Sequence, residues 1–136
     1  MDDLERYLTT QGEKQAARMG QWLDRQLPST ARILVSPAQR TLQTARALGR
    51  KFKVCEDLAP DQSAQALLTR ANWPLGKGTV VVVGHQPTLG QALSQLLDLK
   101  EADFAFKKGA VWWLRHRQQE GKSGTVVITV QSPDFV

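Results

Sequence analysis

Two short passages of this sequence combine residue types able to hold and polarise an anion. One is Ile33-Leu34-Val35-Ser36-Pro37-Ala38-Gln39-Arg40; the other is Val81-Val82-Val83-Gly84-His85-Gln86-Pro87. Both read as an apolar strand, a polar residue, a proline and the start of a helix. In a parallel sheet both turns fall at the carboxyl edge, where open α/β folds bind ligands. Helix N-termini there offer free N–H groups and a partial positive charge, so an anion is the natural guest. With Ser36 as N-cap, Arg40 falls in the first helical turn, where a cation is disfavoured by ~0.3–1 kcal/mol. Two readings of Arg40 follow: a bidentate clamp on phosphate, or a guanidinium turned to solvent or paired with an acid. His85 either donates to a phosphoryl oxygen and exchanges a proton, or caps its loop by hydrogen bonding. Gly84 either lets a ligand approach the backbone or simply makes a turn.

The elements that must position these residues follow from periodicity. Thr9 and Thr10 precede a helical pattern with apolar Ala16, Met19, Leu23 and Leu27. Either threonine can cap it, and Thr10 with Glu13 would form a capping box. Ile33 to Val35 reads as a buried strand. Pro37 suits the first residue of a second helix reaching about Lys51, with Leu42, Ala45, Leu48 and Gly49 on its buried stripe. A short strand is expected at Lys53 to Cys55 and a modest helix from Gln62 to Ala71. Thr79 to Val83 is the clearest strand, its four valines suited to cover on both faces. A fourth helix carries Leu89, Leu93, Leu96 and Leu97. Ala110 to His116 and Thr125 to Gln131 are expected to pair as a hairpin around Glu120 to Gly124. The fold class is α/β: a three-layer αβα domain over residues 1–136, with a mostly parallel central sheet and a C-terminal antiparallel hairpin.

Composition narrows the chemistry. The chain has 136 residues, 18 Lys and Arg against 13 Asp and Glu, two histidines and one cysteine. Cys55 has no partner for a disulfide, and no Cys/His cluster has zinc-ligand spacing. No apolar run reaches the ~18 residues that span a bilayer, and the acidic start at Asp2 and Asp3 does not resemble a signal peptide. A cytoplasmic setting with no membrane partner is expected. The net charge of +5 is spread along the chain, without the aromatic platform or groove-reading motif of a nucleic-acid binder. Gly-x-Ser-x-Gly and Gly-Lys-Ser/Thr patterns are absent, and Cys55 lacks the arginine spacing of a cysteine phosphatase.

Leu8-Thr9-x-x-Gly12, Val35-Ser36-Pro37-x-x-Arg40-x-x-Gln43-Thr44 and Val83-Gly84-His85-Gln86-Pro87, in that order, resemble the histidine phosphatase superfamily. With Phe106-Lys107-Lys108-Gly109-Ala110 and the short length, the likeness is greatest to its SixA branch, the phosphohistidine phosphatases. The resemblance runs from about Asp3 to the C-terminus. It implies a phosphoglycerate mutase-like fold and transfer of a phosphoryl group to a histidine, then to water, with no metal or other cofactor. It implies that Arg40 holds phosphoryl oxygens and that His85 is the second histidine of the pocket, with Ser36 and Gly84 beside the substrate. The partner is then a phosphorylated protein, such as a histidine phosphotransfer domain, or a small phosphoester.

The family pattern begins with a strand ending in Arg-His-Gly or Arg-His-Ala, which carries the nucleophile. That motif is absent from this sequence, where only His85 and His116 occur. The chain is therefore expected to be N-terminally incomplete, with the lost strand between those ending at Ser36 and Gly84, and inactive as given. The alternative is a non-catalytic module that holds phosphate through Arg40 and His85. His116, in Trp112-Trp113-Leu114-Arg115-His116, is expected to be structural or surface-facing. Lys107 and Lys108 are expected in a solvated loop, and Tyr7, Trp22 and the Trp112-Trp113 pair in packing.

Overall fold

A computed structural model describes residues 2–101 and 104–136. Helix α1 (Thr10–Gln26) opens on Thr9, whose Oγ1 accepts from the Gly12 N–H at 3.0 Å. Thr9 is thus the cap, and no Thr10 capping box forms; Glu13 instead accepts from Gln43 at 3.4 Å. Strand β1 (Arg32–Val35) leads to α2 (Gln39–Leu48), which starts later than Pro37 because Ala38, not Ser36, is its N-cap. Arg40 remains in the first turn, and no acidic residue shares that turn. The helix stops at Gly49, whose φ of +77° suits glycine and removes it from the buried stripe.

After β2 (Lys53–Val54) come α3 (Ala64–Arg70), capped by Ser63, and β3 (Val80–Val83). Helix α4 (Thr88–Leu97) follows His85. The chain ends in a hairpin of β4 (Val111–Gln119) and β5 (Lys122–Gln131). Its strands are longer than the sequence pattern predicts. The turn tightens to Glu120-Gly121, both at positive φ (52° and 76°), the conformation a two-residue hairpin turn requires.

Strands β2, β1 and β3 form a parallel sheet in that order, with Leu34 beside Val82 and Val35 beside Val83. Side chains of β1 alternate between two cores. Ile33 and Val35 join Leu23, Leu27, Ala45 and Leu48 under α1 and α2. Leu34 joins Cys55, Leu58, Ala64, Leu67 and Ala92 under α3 and α4. The valines of β3 divide likewise, Val81 and Val83 to the first core and Val80 and Val82 to the second. The result is the expected three-layer α/β architecture.

Two expectations need correction. The strands ending at Ser36 and Gly84 are direct neighbours in register, so no strand fits between them. The opening lies on the other side of β3, between it and the separate β4–β5 sheet. Tyr7 is not a packing residue: it is 65% exposed. Trp22 does pack on the α1–α2 core. Trp113 joins that core, while Trp112 lies edge-on to Phe104, with centroids 5.5 Å apart, on the opposite face of β4. His116 is half-buried and meets Trp73 edge to face at 5.7 Å.

Candidate anion site at the strand ends

The carboxyl ends of β1 and β3 bring Ser36, Arg40 and His85 together. The Ser36 N–H donates to the Val83 carbonyl at 3.0 Å, which extends the β1–β3 ladder by one residue into the loop. Ser36 is fully buried, and its Oγ lies 2.6 Å from His85 Nε2. Thr41 Oγ1 donates to the Ser36 carbonyl at 2.9 Å and fixes the loop from below. His85 is only 9% exposed, and its carbonyl accepts from the Leu89 N–H, which ties the residue to the start of α4.

Hydrogen-bond chemistry assigns the imidazole its proton. Arg40 Nη2 lies 3.2 Å from His85 Nδ1, and a guanidinium can only donate. Nδ1 is therefore the acceptor and the proton sits on Nε2, which donates to Ser36 Oγ. The same serine oxygen accepts from the Ala38 N–H at 3.3 Å. Burial disfavours the imidazolium, and the Arg40 charge disfavours it further. Asp3 opposes both, and the net effect lowers the His85 pKa to about 4. Without an anion the ring is a neutral relay between a serine and an arginine.

Arg40 takes the second of its two sequence readings, a pair with an acid. Its Nη1 donates to the Asp3 carbonyl at 2.8 Å and its Nη2 to Asp3 Oδ2 at 3.2 Å. Asp3 also pairs with Arg6 at 2.6 Å, and this contact, with Arg40 second, holds its carboxyl below the usual range. A carboxylate thus sits on the guanidinium fork at the sheet edge. No pattern in the sequence singles out Asp3 as this partner, because the two residues are 37 positions apart. Gln43, part of the second motif, accepts through its Oε1 from the Leu8 N–H at 2.7 Å and locks the segment before α1 onto α2.

A Cβ on Gly84 would meet Leu89 at 3.5 Å and Val82 at 3.9 Å, ordinary van der Waals contacts. Neither φ nor packing requires glycine there. Lys107 pairs with Asp134, and Lys108 is exposed. Among the described residues no group of three His, Cys, Asp or Glu side chains could hold a metal, and no helix is long and apolar enough to cross a membrane.

The family model for the histidine phosphatase superfamily (branch 1) matches residues 2–63. The phosphohistidine phosphatase SixA homolog of Haemophilus influenzae is 31% identical over 109 residues, which span 69% of this chain and 66% of that protein. The chain belongs to the histidine phosphatase superfamily. Its structure also superposes on two SixA-type members of that superfamily. One, from Nakamurella multipartitia, gives a TM-score of 0.74 at 27% identity. The other, the protein histidine phosphatase SixA complexed with tungstate, gives 0.77 at 25%. Each alignment covers 98% of this chain and 88% of the other.

Proposed function

We propose that residues 1–136 form the phosphoryl-binding part of a SixA-like phosphohistidine phosphatase, with Arg40 and His85 as the residues that hold the transferring group. The observation that carries this reading is the Arg40–His85 contact at 3.2 Å, between two strand ends, beside the buried Ser36. The tungstate complex of a similar protein supports it, since tungstate is an oxyanion.

The chemistry follows from the groups present. A phosphoryl group arriving at the sheet edge draws the Arg40 fork from Asp3 onto its own oxygens. That withdraws the donor from His85 Nδ1, and the added negative charge favours protonation there. The imidazolium then donates to a phosphoryl oxygen while Nε2–H stays fixed on Ser36. Both groups neutralise charge as the P–N bond of the substrate breaks.

The acceptor is a second imidazole from outside residues 1–136. Its nitrogen forms a new P–N bond as the substrate histidine leaves, and water later cleaves that bond to release phosphate. His85 cannot take this part while both of its nitrogens are engaged, and His116 packs on Trp73. The substrate class is a phosphorylated protein, with a small phosphoester second.

The test is a paired assay on a phosphohistidine peptide. Residues 1–136 alone should show no turnover, and the same chain carrying an added strand that ends in Arg-His-Gly should hydrolyse the peptide. Turnover by the short chain that disappears in His85→Ala would overturn the assignment.

The same engagement of both His85 nitrogens favours a second reading, an anion-binding module without turnover. Phosphate binding lost in Arg40→Ala, together with inactivity of the extended chain, would establish that reading instead.

A further inference from the structure

The 3-10 turn over Asp3–Glu5 brings Arg6 back onto Asp3 twice. Residues three apart eclipse in such a turn. The Arg6 backbone N–H donates to the Asp3 carbonyl at 3.3 Å. Its side chain takes the carboxylate as well: Nε donates to Oδ1 at 2.9 Å, and Nη2 lies 2.6 Å from the same oxygen. Arg40 binds the same two groups, with Nη1 on the carbonyl and Nη2 on Oδ2.

Asp3 thus lies between two arginines that play unequal parts. Arg40 also reaches His85 at 3.2 Å, so it belongs to the anion site. Arg6 belongs to the turn. The Leu8 N–H on Gln43 fastens the end of this segment to α2, three residues beyond Arg40, and stays made when Arg40 lets go.

An anion that takes the Arg40 fork removes a donor from the Asp3 carbonyl and another from its carboxylate. A carboxylate without a cation would then stand near a bound phosphate, and like charges at close range oppose each other. Arg6 answers both needs. Each group that Arg40 gives up already has a donor in place.

We propose that Arg6 is a positioning residue for the anion site: it keeps Asp3 bonded and neutralised while Arg40 passes from Asp3 to a phosphate. This rests on the reading above that Arg40 holds the transferring group. Arg6 acts through Asp3 and makes no contact with the anion itself.

The test is a double-mutant cycle, read by titration calorimetry of residues 1–136 with inorganic phosphate at low salt. Arg6→Gln should weaken phosphate binding by roughly two- to fivefold, the scale of an exposed ion pair. In the Asp3→Asn background the same change should alter affinity by less than about 1.5-fold, because no carboxylate remains to neutralise. Arg6→Lys keeps the charge and one donor group, so it should bind phosphate more tightly than Arg6→Gln. Both side chains are at least half exposed and belong to neither core, so these substitutions leave the fold intact.

Equal weakening by Arg6→Gln in both backgrounds overturns the proposal, since Arg6 would then attract the anion directly. So does tighter binding in Arg6→Gln, which would make Arg6 a brace that holds Asp3 against Arg40. Arg6→Lys binding no better than Arg6→Gln overturns it too. Arg40→Ala separates this inference from the functional reading. Phosphate binding undiminished in Arg40→Ala removes that reading and the inference with it. Binding lost in Arg40→Ala, together with an additive cycle, removes the inference alone.

Discussion

Asp3 grips Arg40 through two of its oxygens, the backbone carbonyl at 2.8 Å and Oδ2 at 3.2 Å. On the proposed function, these fill the guanidinium positions that a phosphate would use. The aspartate competes with any anion for the same fork, from an exposed 3-10 turn over Asp3–Glu5. Asp3→Asn should therefore tighten binding of inorganic phosphate by roughly two- to fivefold, a change typical of an exposed ion pair. Titration calorimetry at low salt reads this directly. Arg40→Lys in the same assay should bind more weakly than wild type, since a lysine keeps the charge but loses the bidentate fork.

The buried imidazole makes stability depend on pH. Its pKa is about 4 in the folded chain against ~6.5 unfolded. Below the unfolded value the unfolded chain takes up a proton that the native site refuses, so stability falls as pH falls from about 6.5 to about 4. The full loss is on the order of 3 kcal/mol. Asp3 and Asp134 are both held below the ordinary carboxylate value by cationic neighbours, so their titration adds its loss at lower pH. Urea denaturation of His85→Gln should show a flatter profile between pH 6.5 and 4. Saturating phosphate should raise the NMR-detected midpoint of His85, because the anion favours the imidazolium.

Ser36→Ala should destabilise the chain by ~1–3 kcal/mol, the usual penalty for a buried donor left without its acceptor. His85 Nε2–H and Ala38 N–H both point at the serine oxygen. Chemical denaturation gives the cost. A change below ~0.5 kcal/mol would show that His85 does not depend on Ser36.

Gly20 tests helix packing. Alanine inside an exposed helix would gain ~0.5–1 kcal/mol over glycine. Here a Cβ would lie 2.5 Å from the Ala47 carbonyl oxygen, so α1 would be pushed off α2. The overpacking cost of ~1–3 kcal/mol should dominate, and Gly20→Ala should lower the urea midpoint.

Much of this arrangement is legible in the sequence. Ile33–Val35 and Val80–Val83 announce themselves as apolar runs, and each is followed by the polar residue and proline that end a strand. Parallel pairing then brings Ser36, Arg40 and His85 to one edge. The bonds among them are less legible: Ser36 and His85 stand 49 residues apart, and their contact depends on tertiary register. The helix start moved from Pro37 to Gln39 because Ala38 adopts an extended backbone, which nothing in its side chain declares. The open side of β3 was misplaced for a related reason. Four valines read alike whether the strand has neighbours on both sides or on one.

The attachment of the hairpin has a consequence for how the molecule comes apart. No backbone ladder joins β4 to β3 among the described residues. Trp113 in the α1–α2 core and Arg18, which donates to the Pro133 carbonyl at 3.0 Å, fasten this end of the chain to the rest. Side-chain fastenings of that kind release at lower free energy than a continuous sheet does, so the hairpin should open as its own foldon. Its amides should exchange through a partial opening that leaves β1 protected, and cooperative melting as a single unit would require a shared ladder across the gap.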